Sequence, residues 1–84
     1  MFNMNKKLKL KLRLMGIKTP NDAYFYALDI LKAPWPEAEE YIKQDAHYAY
    51  MYARFILKER WPEAEPYIKQ NTLSWDEYKE HFNI

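Results

Sequence analysis

One stretch of the chain occurs twice, and this repetition constrains the fold more than any other feature. Residues 23–45 read AYFYALDILKAPWPEAEEYIKQD, and residues 49–71 read AYMYARFILKERWPEAEPYIKQN, so 16 of 23 positions are identical at an offset of 26 residues. A period of this size is typical of repeat proteins, in which each unit is too small to bury its own apolar face. The repetition therefore predicts units that stack on one another.

The composition predicts that these units are helical. A single glycine among 84 residues favours helices over a turn-rich β fold. We therefore predict an all-α, small helical-repeat domain of two 26-residue helix–turn–helix units plus a truncated third. On a helical wheel, each long helix has one predicted inner face. These faces comprise Ala23, Ala27, Ile30 and Leu31 in the first copy, and Ala49, Ala53, Ile56 and Leu57 in the second.

Helix-start signals divide the chain. Thr19 and Asp22 form a capping box, and Asp45 provides a second cap. Ser74 and Glu77 repeat the capping-box pattern before a final helix. The chain is predicted to consist of a basic leader, residues 1–18, and a repeat domain, residues 19–84. Within the repeat domain, the first repeat covers about 19–44, the second about 45–70, and a C-terminal capping helix about 74–82.

The leader carries two competing signals. Its leucines alternate with cations over residues 7–14, which is the two-residue period of a strand. Gly16 followed by Ile17 is instead typical of a helix end, where glycine adopts a left-handed conformation and an apolar contact follows. The sequence leaves both open, and a strand would need a second chain to pair with.

Charge is distributed unevenly along the chain. Residues 1–18 carry six cations and no acid, whereas residues 19–84 carry seven basic and twelve acidic residues. This asymmetry indicates an anionic partner for the leader, and the sequence leaves open nucleic acid, lipid and the acidic body of the chain itself. Without a base-reading motif, any nucleic acid would be bound independently of sequence. The candidate nucleic-acid-binding residues are Lys6, Lys7, Lys9, Lys11, Arg13 and Lys18.

Differences between the copies indicate a second surface. The largest changes in the long helix are from Leu28 to Arg54 and from Asp29 to Phe55, both away from the alanine face. An outward aromatic residue beside an arginine is typical of an interface anchor. We therefore predict three partner-binding residues, Met51, Arg54 and Phe55, the rival being that the C-terminal helix covers Phe55. For Phe25, cover by a terminal helix is the favoured interpretation.

No motif predicts catalysis. The paired carboxylates of each WPEAE segment are ordinary helix-start chemistry, and the two histidines have no spacing suited to a metal. Without cysteine and with one glycine, neither a thiolate site nor a phosphate loop is predicted. We predict no enzymatic activity, no cofactor and no metal. No apolar run approaches the roughly 20 residues that span a bilayer, so we predict a cytoplasmic protein without a membrane partner.

The block from AYxYA through ILK to WPEAE and YI resembles the short tandem repeats of uncharacterised proteins of large tailed bacteriophages. The resemblance covers residues 23–71 and implies a viral origin, hence the cytoplasm of an infected host cell, but no site residues. Together with the small size of the chain and its division into a basic leader and an acidic body, this origin favours a non-enzymatic inhibitor or adaptor acting on a host or defence protein. One form is an antitoxin-like blocker of a nuclease that contacts RNA through the leader. The alternatives are a sequence-independent RNA- or DNA-binding protein and a structural protein that self-associates through its leaders.

Overall fold

The computed structural model describes residues 6–84, and this part of the chain folds into an all-α domain without strands. Its α-helices are α1 (Lys6–Leu14), α2 (Pro20–Phe25), α3 (Glu39–Ile42), α4 (Ala46–Tyr52), α5 (Glu65–Ile68) and α6 (Thr72–Phe82). Two of them, α2 and α4, continue as π-helical segments, Tyr26–Leu31 and Ala53–Leu57. Short 3₁₀ turns, Pro36–Ala38 and Pro62–Ala64, lead into α3 and α5. The predicted all-α class of a small domain is confirmed.

The leader forms a helix over its described part, and residues 1–5 lie outside that part. At its end, the amide of Ile17 donates to the carbonyl of Leu12 at 2.8 Å, and the amide of Gly16 donates to the carbonyl of Arg13 at 3.0 Å. Gly16 has a φ of 85°, and both Leu12 and Ile17 are buried. This pattern is the Schellman helix end, which explains why helix prevails over the alternating pattern. The strand alternative is wrong for residues 6–14. Self-association of the chain stays a prediction.

Three N-caps recur at the 26-residue interval. The side chains of Thr19, Asp45 and Asn71 each accept a hydrogen bond from the amide three residues later, at 3.1, 3.0 and 2.9 Å. Thr19 and Asp22 form the predicted capping box. The predicted cap at Ser74 is wrong, because Asn71 holds that role and the amide of Ser74 is its donor. The final helix therefore begins at Thr72.

The helices stack as consecutive units around an alanine-lined core. Contacts join α2 to α3 and α4, and join α4 to α5 and α6. The side chains at the centre of these contacts have no exposed surface: Ala23, Ala27, Ala49, Ala53, Ile42 and Ile68. Large aromatic residues fill the rest. Tyr24, predicted on a flank, is buried at 1 % exposure, because small alanines leave room for whole tyrosine rings between the helices.

The predicted inner face is wrong at the end of the first long helix. Ile30 is 65 % exposed and Leu31 is 41 % exposed, whereas the equivalent Ile56 is 8 % exposed. All three lie in π-helical segments, so local geometry does not cause the difference. Ile56 lines a cleft against the end of the preceding unit, near Pro34. In the described part of the chain no repeat unit precedes α2, so Ile30 faces outwards.

Candidate functional site

A tyrosine of each following unit closes the WPEAE loop of the unit before it. The hydroxyl of Tyr52 accepts from the amide of Trp35 at 2.7 Å and donates to the carboxylate of Glu39 at 2.8 Å. Tyr78 makes the same two bonds 26 residues later, at 2.8 and 2.7 Å. We call this arrangement the tyrosine clasp. It engages the second carboxylate of each motif in holding the loop closed.

The tyrosine clasp predicts a loss of stability at alkaline pH. Burial, followed by the hydrogen bond to Glu65, raises the pKa of Tyr78 from 10.0 to about 12, and burial also raises the pKa of Tyr52. Because the folded-state pKa lies above the unfolded-state value, this contribution is fully present below pH 10 and is lost as the pH rises towards about 12. Urea unfolding across this range should show a smaller alkaline loss for Tyr78→Phe than for the native chain. Equal losses would contradict the assignment.

Three of the six leader cations lie around one cavity. Lys9, Arg13 and Lys18 line a space of about 260 Å³, together with Tyr41 and apolar side chains. The hydroxyl of Tyr41 donates to the carbonyl of Lys18, which fixes one wall of this cavity. We call it the leader cavity. Its cations are suited to binding a phosphate group, because three of them line one space.

The other predicted leader cations lie outside this cavity. Lys6 and Lys7 are exposed on α1, and Lys11 forms an ion pair with Glu37 at 3.0 Å. The acid partner of Lys11 reduces its availability to an external anion.

The sequence did not show that Leu14 would be 79 % exposed, because the leucine pattern alone does not indicate which leucines pack against the rest of the domain.

Two of the predicted partner residues, Arg54 and Phe55, form a surface on the π-helical segment that continues α4. Phe55 is 43 % exposed, and the guanidinium carbon of Arg54 lies 4.9 Å from the centroid of its ring. Arg54 also donates to the hydroxyl of Tyr50 at 2.7 Å, which fixes its orientation. Met51 is half-buried and packs against the core. The rival interpretation, cover of Phe55 by the C-terminal helix, is wrong because the ring remains exposed.

Phe25 provides a comparison for Phe55. It is also 43 % exposed, and its ring contacts Tyr24 and Tyr48 at centroid distances of 5.0 and 6.0 Å. The expected cover by a terminal helix is wrong, since the side chain of Phe25 remains exposed. Phe25 therefore has the same exposure as Phe55 in a different setting.

A cleft opens on the other side of Phe55, between the ends of the two long helices. It has a volume of about 310 Å³, and we call it the junction cleft. Its lining includes Leu28, Pro34, Phe55 and Ile56, and two equivalent lysines, Lys32 and Lys58, also line it. The sequence did not indicate this cleft, because its two sides lie about one repeat apart and meet only when the units stack. The signal that could have indicated this cleft is the ILK segment that both copies share, because it places Lys32 and Lys58 at equivalent positions.

Within residues 6–84, no group of three or more His, Cys, Asp or Glu side chains is arranged to hold a metal ion. No helix in the same range is both long and apolar enough to cross a membrane.

Comparison of the chain with protein-family models, with curated proteins and with solved structures found no match. The resemblance to bacteriophage repeat proteins stays a prediction, as do the viral origin and the cytoplasmic location. Functional inference therefore depends on the geometry of the chain itself.

Proposed function

We propose that this chain is a small non-enzymatic binding protein that docks on another protein through Met51, Arg54 and Phe55. The observation that carries the proposal is the exposed ring of Phe55 at the junction of two units, where the first copy has Asp29. Aromatic and arginine side chains supply much of the binding energy in protein interfaces. The proposed class is an inhibitor or adaptor.

The fixed orientation of the Arg54 side chain on this surface supports the proposal. Arg54 is held from two sides, by the hydroxyl of Tyr50 and by the ring of Phe55. A side chain that is already oriented loses less conformational entropy when a partner binds. The adjacent junction cleft would allow a partner side chain to insert beside the ring. Action on a host or defence protein is the form of this function that the resemblance to bacteriophage repeats favours.

Phe55→Ser, compared with Phe25→Ser, tests this function. Because about half of each ring is exposed, each substitution should cost up to about 1 kcal/mol of stability. We expect Phe55→Ser to abolish capture of the protein partner from nuclease-treated extract of the organism that encodes the chain, and Phe25→Ser to retain it. Thermal melting checks that both variants are folded. Capture of the same partner by both variants would contradict the proposal, as would a destabilisation by Phe55→Ser of about 2 kcal/mol or more, the cost of a buried phenylalanine.

The leader cavity favours a second function, sequence-independent binding of RNA or DNA. Lys9, Arg13 and Lys18 converge on one space. Within residues 6–84, none of these three side chains forms an ion pair. Unpaired cations around one cavity are suited to neutralising phosphates and releasing counterions.

A triple substitution of Lys9, Arg13 and Lys18 to glutamine tests the second function. If each cation contacts one phosphate, the log–log salt dependence of single-stranded RNA binding should fall by about 2, at about 0.7 per contact. The control removes three cations elsewhere: Lys58→Gln, Lys69→Gln and Lys79→Gln. Filter binding at several salt concentrations measures both. Equal losses in the two triple variants would show that only overall charge matters and would contradict a cavity-specific role.

A further inference from the structure

We infer that the junction cleft binds a segment of the protein partner in which a large apolar side chain lies next to an aspartate or glutamate. The inference rests on the proposed function, because Phe55 belongs both to the docking surface and to the lining of the cleft. It adds the chemistry of the bound segment, which the docking surface alone does not specify.

The apolar lining of the junction cleft determines the apolar part of the ligand. Leu28, Pro34, Phe55 and Ile56 contribute to a space of about 310 Å³. This volume is near the lower limit of ligand-binding pockets, about 300 Å³, so it suits one or two side chains rather than a folded element. Removing apolar surface of both partners from water favours occupancy by a large apolar side chain.

The lysines determine the charged part of the ligand. Lys32 and Lys58 both line the cleft, and its lining contains no acidic residue. Both lysines are exposed, and neither side chain has a hydrogen bond or ion pair within residues 6–84. Two unpaired cations in the same cleft lining as apolar side chains are complementary to a carboxylate next to an apolar side chain.

The backbone at these lysines supports a role for their side chains. Lys32 and Lys58 have φ values of 53° and 60°, in the left-handed region. Glycine is the usual residue at such helix ends, because it has no Cβ to clash. Strained residues that persist are often found at functional sites. A lysine also offsets the negative end of a helix dipole, so the test needs a readout that this structural role would not change.

The experiment is a selection from a random displayed-peptide library against the full chain. We expect the enriched peptides to carry Phe, Leu, Ile or Trp next to Asp or Glu. The strongest peptide should bind at least about tenfold more weakly to Lys32→Gln and to Lys58→Gln, the loss expected for a charged hydrogen bond. Lys69→Gln, which removes the cation that follows α5, should bind like the native chain. Replacing the peptide acid with its amide should produce a loss that does not add to those of the lysine variants.

A glycine substitution separates binding from local stability. Lys58→Gly relieves the backbone strain, so its melting temperature should equal or exceed that of Lys58→Gln while the peptide still binds weakly. Enrichment of peptides without acids, no enrichment at all, or binding that is indifferent to both lysine variants would overturn the inference. So would binding of single-stranded RNA with the same lysine dependence.

Failure of the inferred ligand chemistry and failure of the proposed function can be distinguished in the capture assay. If partner capture requires Phe55 but is unchanged in Lys32→Gln and Lys58→Gln, the docking surface stands and the inferred ligand chemistry is wrong. If capture does not require Phe55, the proposed function is wrong, whatever the peptides show.

Discussion

Replacing Tyr52 with alanine should lower the free energy of unfolding by about 3–5 kcal/mol, the range for removing a large buried aromatic side chain. Tyr52 has no exposed surface, and its ring packs against that of Trp61 in a tilted arrangement at a centroid distance of 4.9 Å. Its hydroxyl also bonds the amide of Trp35 and the carboxylate of Glu39. A loss of this size is comparable to the whole stability of a small domain. The variant should be largely unfolded by circular dichroism at ambient temperature.

A conservative substitution isolates the contribution of the Tyr52 hydroxyl to stability. Tyr52→Phe should cost about 1–3 kcal/mol, because it leaves the buried amide of Trp35 without a partner. Tyr26 provides the matched control: its ring lies 5.0 Å from that of Trp35, but its hydroxyl has no hydrogen bond within residues 6–84. Tyr26→Phe should therefore change stability by less than about 0.5 kcal/mol. Equal effects of the two substitutions in urea unfolding would contradict the tyrosine clasp.

Leu12→Ala should be the second most damaging change, with an expected cost of about 2–5 kcal/mol. Leu12 is 2 % exposed, and Leu14 on the same helix is 79 % exposed. Leu14→Ala should therefore stay within about 0.5 kcal/mol of the native chain. The pair is measured by urea unfolding under identical conditions.

The Leu12 result also bears on the leader as a binding element. If Leu12→Ala and Leu14→Ala are equally mild, α1 does not pack on the body as described. If Leu12→Ala is severe, deleting the leader removes part of the core. For this reason the RNA experiment above uses substitutions of exposed cations rather than a deletion.

Local helix chemistry could be predicted from the sequence, because it depends on a few neighbouring residues. Thr19 and Asp45 act as predicted, and the Gly16–Ile17 helix end forms although the leucine alternation favours a strand. Asn71 was missed because Ser74 begins a pattern that resembles a capping box. The repeat itself contained the correct answer, since Asn71 lies 26 residues after Asp45.

Features that depend on neighbouring units could not be predicted in the same way. Ile30 and Ile56 occupy equivalent positions in the shared ILK segment, and their exposures differ because Ile56 faces a preceding unit. The bond from Tyr52 to Glu39 joins residues 13 positions apart, and no periodicity indicates which hydroxyl reaches which loop. Phe55 was identified differently, by departure from its equivalent Asp29, and its predicted exposure is confirmed.

A photo-crosslinking side chain at position 55 tests the proposed docking surface most directly. Phe55→benzoylphenylalanine and Phe25→benzoylphenylalanine start from equal exposure, 43 % in each case. After irradiation in the organism that encodes the chain, position 55 should yield a discrete crosslinked protein that mass spectrometry can identify, and position 25 should not. A crosslink of the same protein from position 25 alone, or no protein crosslink from position 55, would contradict the proposal that this surface binds a protein.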